Sequence, residues 1–231
     1  MKKAILNWSG GKDCAFALHL LRQQYPETEI RLLTSITETT GRVSMHGLRH
    51  ELISKQAAAL GLEIEKVFLP DMPNNAIYEN LMGNKLLELK KQGFENSVFG
   101  DIFLEDIRQF REKQMARLNM QAAFPLWKKN TAQIADSFIE SGFRAVVIST
   151  SDKYFGKEVV GAAYDNDFIS SLPGGVDPCG ENGEFHTFVY DGPGFKNPVK
   201  FLRGKVEQKF YPSPENKGRQ IGFRLLELLP A

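Results

Sequence analysis

Ser9-Gly10-Gly11-Lys12-Asp13-Cys14 follows the apolar run Ala4-Ile5-Leu6 and precedes an amphipathic stretch. Residues of these types in this order suit the holding of a phosphate. The two glycines permit a tight turn with close backbone approach. The N–H groups of the loop and of the following helix start, together with the positive end of the helix dipole, form an anion nest, and Lys12 adds a mobile ammonium. Asp13 is expected to cap a helix that begins at Cys14. Neither G-x-x-x-x-G-K-[ST] nor G-x-G-x-x-G is present, so a different phosphate geometry is implied. The plain alternative is a strand-to-helix turn with a solvated lysine. The position of the string, after the first strand and before a helix, favours phosphate.

A second chemical cluster lies far downstream, in Gly175-Val176-Asp177-Pro178-Cys179-Gly180-Glu181-Asn182-Gly183-Glu184-Phe185-His186-Thr187. Asp177, Glu181, Asn182, Glu184 and His186 stand among glycines that leave backbone open to a ligand. Carboxylates there could hold an ammonium, an amine nucleophile or Mg²⁺, and one could act as a general base. The competing reading is a turn-rich loop whose acidic groups only cap and solvate.

Smaller signals are weighed against these two. Gly100-Asp101 follows an apolar run, and strand ends are where open α/β sheets bind ligands, so both are expected to line the nucleotide pocket. His46 and His50 have the i,i+4 spacing of a zinc pair but lack the H-E-x-x-H glutamate, and a helix-start surface is the better reading. His19 reads as structural. Cys14 and Cys179 are too few for a disulfide framework and belong to no C-x-x-C pair; buried small hydrophobes are their commoner fate. Lys90-Lys91 and Lys128-Lys129 read as solvated helix faces.

These groups need elements to carry them. Runs at Lys3–Trp8, Glu29–Ile36, Glu63–Leu69, Ser97–Ile102 and Phe143–Thr150 alternate with helix-like stretches, which predicts a parallel α/β sheet. Phe16, Leu18, Leu20 and Leu21 mark one apolar helix face, and Leu48, Leu52, Ile53, Ala57 and Leu60 mark another, with Gly61 as its stop. Asn74–Gln92 and Leu104–Asn119 are two further amphipathic helices. The texture changes from about Gln121, and Asn130-Thr131-Ala132-Gln133 looks like a capping box. The expected division is residues 1–127 for a nucleotide-binding domain and 128–231 for a smaller α+β domain. Its tail holds strand-like runs at Phe185–Tyr190, Val199–Tyr211 and Gln220–Leu229.

Composition bounds the rest. The chain has 231 residues, 42% hydrophobic and 25% charged, with a formal net charge of +1. That balance gives no global attraction to nucleic acid, and no apolar stretch is long enough to span a bilayer. The cytoplasm is the expected location, and a homo-oligomer is compatible with all of this.

Ser9–Asp13 resembles the PP-loop S-G-G-x-D-S of GMP, asparagine and NAD synthetases and of tRNA-modifying sulfurases. Cys14 stands where that pattern has serine. The 175–187 segment resembles the C-terminal motif of diphthine–ammonia ligases and their bacterial relatives. Phe99-Gly100-Asp101-Ile102, Arg108, Arg111 and Pro125-Leu126-Trp127 follow that family in order and spacing. The resemblance spans essentially the whole chain. It implies a Rossmann-like sheet of the adenine nucleotide alpha hydrolase type, cleavage of ATP between the α- and β-phosphates, and Mg²⁺.

It further implies an ATP-dependent amide-forming ligase, in which a carboxylate is adenylylated and ammonia displaces AMP. In that family the acceptor sits on a translation elongation factor. With no glutaminase-like stretch in the chain, nitrogen is expected from free ammonia or a partner. On this reading Ser9, Gly10, Gly11, Lys12, Asp13, Cys14, His46, Gly100 and Asp101 hold ATP, with Asp13 at the metal. Lys12, Glu181 and Glu184 are catalytic, and Asp177, Asn182 and His186 meet the acceptor. The alternatives are a tRNA sulfurase-like enzyme using a cysteine persulfide, and a nucleotide-binding module without turnover.

Overall fold

The computed structural model describes residues 1–44, 47–156, 158–212, 218 and 220–231. Strands β1 (Lys3–Asn7), β2 (Glu29–Thr37), β4 (Glu63–Leu69), β5 (Asn96–Val98) and β6 (Gln121–Ala123) run parallel, with a two-residue antiparallel strand β3 (Arg42–Val43) on the end of β2. β1 lies between β2 and β5; β4 lies outside β2 and β6 outside β5. The chain therefore winds one way from β1 through β2 to β4, and the other way through β5 and β6. The reversal falls between β1 and β5, the place where such sheets leave a crevice beyond their carboxyl ends.

Helices α1 (Lys12–Gln24), α2 (His50–Leu60), α3 (Asn75–Lys91) and α4 (Glu105–Arg117) make the crossovers. β1 is apolar at consecutive positions because both faces are covered. Ala4 and Leu6 pack with Leu18, Leu52 and Ile53, whereas Ile5 packs with Leu86, Leu89 and Met115 on the opposite layer.

The run Phe143–Thr150 departs from expectation. It forms β7 (Arg144–Ser151), which belongs to a separate antiparallel sheet ordered β8-β7-β10-β9, with β8 Phe185–Asp191, β9 Phe201–Pro212 and β10 Gln220–Pro230. A strand buried on both faces reads alike in either kind of sheet, so its sequence could not name its neighbours. Helix α5 (Thr131–Glu140) starts as expected, with Asn130 Oδ1 accepting from Gln133 N at 3.1 Å. The five-residue α6 (Asn166–Ser170), capped by Asp165, was too short to leave a periodic signal.

Helix α1 corrects a second expectation. It begins at Lys12, with Gly11 at the cap position, so Asp13 lies in the first turn and caps nothing. Helix α2 begins at His50; His46 falls outside the described residues, and the i,i+4 pairing of the two histidines with it. No group of His, Cys, Asp and Glu suited to a metal ion occurs among the described residues. His19 stacks on Phe16 and hydrogen-bonds Gln23, a structural setting.

The two sheets share one apolar cluster that runs from Leu6 and Leu18 through Phe138 and Phe143 to Phe188 and Leu228. Glu227 of β10 adds a polar tie, accepting from Arg42 at 2.7 Å and Arg49 at 2.6 Å. Among the described residues no helix is long and apolar enough to cross a membrane.

Candidate functional site

The glycine loop occupies the crevice between β1 and β5. Asn7, the last residue of β1, donates through Nδ2 to Ser97 Oγ and Val98 O, which locks the tips of the two strands together. Gly10 has φ +85°, and a Cβ there would sit 2.5 Å from Ile53 Cδ1. At Gly100 a Cβ would lie 3.0 Å from the Asp13 carbonyl carbon and 3.1 Å from Cys14 N, so this glycine lets the end of β5 press against the loop backbone. The second sheet closes the loop from the other side: Thr187 Oγ1 accepts from Lys12 N at 3.1 Å, and Val189 N donates to Gly10 O at 3.0 Å.

Lys12 is buried, with its ammonium 3.0 Å from Asp13 Oδ2 and over the rings of Phe185 and Tyr164 at 5.2 and 5.9 Å. Burial works against its charge, but Asp13 foremost, with help from Glu181, more than offsets this, and the pKa stands above the ordinary lysine value. Lys12 is therefore a fixed cation. Burial also pushes the Asp13 carboxyl up, against the pull of Lys12. Asp13 Oδ1 is buried and has no hydrogen-bond partner among the described residues, an acceptor left open beside the loop.

The carboxylate-rich loop reaches this same place. Glu181 Oε1 accepts from Ile102 N at 2.7 Å, just past Gly100-Asp101. Burial, with a contribution from Asp13, raises its pKa to about 7, so it exchanges a proton near neutrality. Glu184 is 1% exposed; its Oε1 accepts from Asp177 N and Asn182 Nδ2, while Oε2 is buried with no partner found among the described residues. Asp177 Oδ2 accepts from the N–H groups of Cys179 and Glu181. The contacts of Asp177 and Asn182 thus lie within their own loop and hold Glu181 and Glu184 in place. His186 stands on β8 opposite Ser149, and its side chain is half-buried.

Asp101, expected to face a ligand, is ion-paired to Arg111 at 2.8 Å. Arg111 lies over Phe99, and Arg108 over Trp127 at 4.6 Å, so the arginines of α4 brace the wall behind Asp101. Cys14 Sγ donates to Gly11 O at 3.1 Å and touches Ser9 Oγ at 3.5 Å, performing for the loop what a serine hydroxyl would. Both cysteines are free and buried, and burial pushes both thiols up, which keeps them protonated.

Four contributors were not singled out from sequence: Gln56, Thr187, Tyr164 and Phe185. Phe185 and Thr187 close the quoted 175–187 segment without having been given a role, and Gln56 left a signal as a polar residue on the same helix face as Leu52, Ile53 and Leu60.

A glycine loop at the switch point of a parallel sheet, closed by a carboxylate-rich loop from a second sheet, defines a PP-loop protein. Residues 1–122 match the diphthamide synthase N-terminal domain and residues 130–213 the diphthamide synthase C-terminal domain. The chain belongs to the diphthamide synthase family. It is 25% identical to the diphthine–ammonia ligase of Bos taurus, over 90% of this chain and 94% of that protein. It is 31% identical to the ligase of Danio rerio over 49% of this chain and 47% of that protein. Among solved structures, one described as a predicted subunit of a tRNA methyltransferase from Methanocaldococcus jannaschii superposes with a TM-score of 0.45 at 16% identity, covering 86% of this chain and 100% of that one.

Proposed function

We propose that this protein is an ATP-dependent, AMP-forming carbon–nitrogen ligase that converts a carboxylate to an amide. An acceptor carboxylate oxygen attacks the α-phosphorus of ATP, the bond to the β-phosphate bridge breaks, and pyrophosphate leaves. Ammonia then attacks the acyl carbon, AMP departs, and the surplus proton passes to a base. The observation that carries the reading is the meeting of the two loops around Lys12, whose N–H is held by Thr187 and whose ammonium lies against Asp13 and Phe185.

In this reading residues 1–127 carry ATP and 128–231 the acceptor. Ser9 to Cys14 hold the departing pyrophosphate with the N–H groups of Asp13 and Cys14 in the first turn of α1 as donors, Lys12 N being held by Thr187, and the Lys12 ammonium neutralises it. Gly100 and Asp101 wall the nucleotide, and His46, which lies outside the described residues, is assigned to ATP on the family resemblance alone. Magnesium brought in with ATP keeps mostly phosphate and water ligands and asks for one or two carboxylates. The open Asp13 Oδ1 fits that need. Glu181, with its pKa about 7, suits the base, and the unpartnered Glu184 Oε2 suits an ammonium or amine. Asp177 and Asn182 position these two, and His186 flanks the acceptor. The relatives' name, diphthine–ammonia ligase, makes a diphthine-bearing protein the first acceptor to try, on the family resemblance a translation elongation factor, with ammonia free or delivered by a partner.

The test is a screen of carboxylate acceptors with ammonium chloride for AMP and pyrophosphate, with Lys12→Ala as control. AMP and pyrophosphate formed by the parent and not by the variant support the reading. Release of ADP and orthophosphate would overturn it.

A further inference from the structure

Gln56 is wholly buried on α2, and its amide is shared among three partners. Nε2 donates to Gly10 O, at 3.0 Å, and to Val189 O; Oε1 accepts from Trp8 Nε1 at 2.9 Å. One side chain therefore holds a loop residue, a strand of the second sheet and the end of the β1 run together. Two positions earlier on β8, Thr187 holds Lys12 N, and its carbonyl lies where a Cβ on Gly11 would come within 3.2 Å. Gly10 and Lys12 are thus each bonded from outside the loop, and Gly11 lies between them against the Thr187 backbone. An apolar residue would suit the packing of that α2 face equally well, and a buried amide is costly unless fully bonded. Packing alone gives no reason for a glutamine at this position.

We infer that Gln56 is a positioning residue for phosphate binding, acting through Gly10, and that with Thr187 it forms a clasp between the loop and β8. This rests on the nucleotide reading above. Without the amide, Gly10 O keeps, among the described residues, the Val189 N–H alone, and the left-handed turn at Gly10 loses one of the two bonds that set its carbonyl direction. The peptide planes that follow then no longer converge on one anion. Because β8 begins at Phe185, directly after the carboxylate loop, the clasp also fixes the spacing between that loop and the phosphate seat.

The experiment measures ATP, inorganic pyrophosphate and AMP binding by titration calorimetry for the full chain and for Gln56→Met, Thr187→Val, Thr187→Ser and Trp8→Phe. Gln56→Met and Thr187→Val should weaken ATP and pyrophosphate by about tenfold or more and leave AMP within about twofold, and Thr187→Ser should restore binding. Trp8→Phe, which removes only the Oε1 partner, should lower Tm without weakening pyrophosphate. If Gln56→Met does not fold, the threonine pair decides. A folded Gln56→Met or Thr187→Val that binds pyrophosphate like the parent would overturn the clasp alone. So would equal weakening of all three ligands. A parent chain that binds neither ATP nor pyrophosphate overturns the nucleotide reading and the clasp with it.

Discussion

Glu181 Oε1 accepts a hydrogen bond from Ile102 N at 2.7 Å, and by this bond the carboxylate loop is fastened to the ligand end of the first sheet. The two residues are 79 positions apart in the chain. The bond steadies one oxygen of a group that burial otherwise discourages from ionising, and it works against the rise in the Glu181 pKa.

The first prediction concerns pH. Burial first, then Asp13 and Asp101, raise the Glu181 pKa from 4.5 to about 7, against the Ile102 N–H and Lys12. The folded chain therefore keeps a proton here that the unfolded chain releases above pH 4.5. This contribution is fully present below the unfolded value and is lost as pH rises to about 7, where the folded group ionises. The urea midpoint of the parent should fall across that window more than that of Glu181→Gln. Equal slopes would remove the assignment. Amide formation, if Glu181 is the base, should rise through pH 7 in the parent and flatten in the variant.

Gly100 supplies the second. Its backbone φ is not left-handed, so a side chain is opposed only by the loop it would strike, at 3.0 to 3.2 Å from Asp13 and Cys14 backbone atoms. Backbone cannot rotate aside as a side-chain tip can. Gly100→Ala should cost about 1–3 kcal/mol of stability by overpacking. It should also weaken ATP binding, since the displaced atoms belong to the phosphate loop. Unchanged ATP affinity would place Gly100 outside the pocket.

How much of this was legible follows from the kind of signal each residue leaves. Gly10, Gly11 and Lys12 announce themselves because a phosphate turn has a short local sequence, and Glu181 because it stands in a cluster of carboxylates, though the same Gly-, Asn- and Asp-rich pattern fits a plain turn. In the first sheet β1, β2, β4 and β5 were legible, β4 at Glu63–Leu69 and the cap at Asn74 being set by local pattern and local hydrogen bonds, whereas β3 and β6 are too short to leave a run. What was missed is long-range. Thr187 and Gln56 act across 175 and 46 residues respectively, through pairings that no local window contains. The same cause misplaced β7, whose burial was plain and whose neighbours were not. Asp101 shows a related limit, because the residue that engages it, Arg111, lies a turn and more into the next helix.

That ion pair gives the third prediction. Asp101 and Arg111 are 14% and 25% exposed in their side chains, so solvent screens them only in part. Arg111 also lies 4.6 Å over Phe99, a contact that a charge change at Asp101 would leave standing. Asp101→Asn should therefore destabilise less than Arg111→Ala, and the double-mutant cycle should return a coupling of about 1–2 kcal/mol. A coupling near zero would mean that the pair is screened like a surface one.

The last prediction separates the ligase from the sulfurase-like alternative. Cys14 Sγ is buried, donates to Gly11 O and lies beside Ser9 Oγ, and its pKa is raised by burial. A persulfide carrier needs a thiolate that can leave its pocket and attack. Cys14 has neither the ionisation nor the exposure, and Cys179, also buried and also raised, donates to Thr131 O. A serine at position 14 reproduces the donor with a stronger hydrogen bond in a slightly smaller volume. Cys14→Ser should change stability by about 1 kcal/mol or less and leave AMP formation within about threefold of the parent, because the hydroxyl can make the same bond to Gly11 O. Cys179→Ala should likewise retain turnover. Complete loss of activity in Cys14→Ser, with ATP binding and the thermal midpoint intact, would show that sulfur chemistry is required and would replace the amide-forming reaction with a thiol-dependent one.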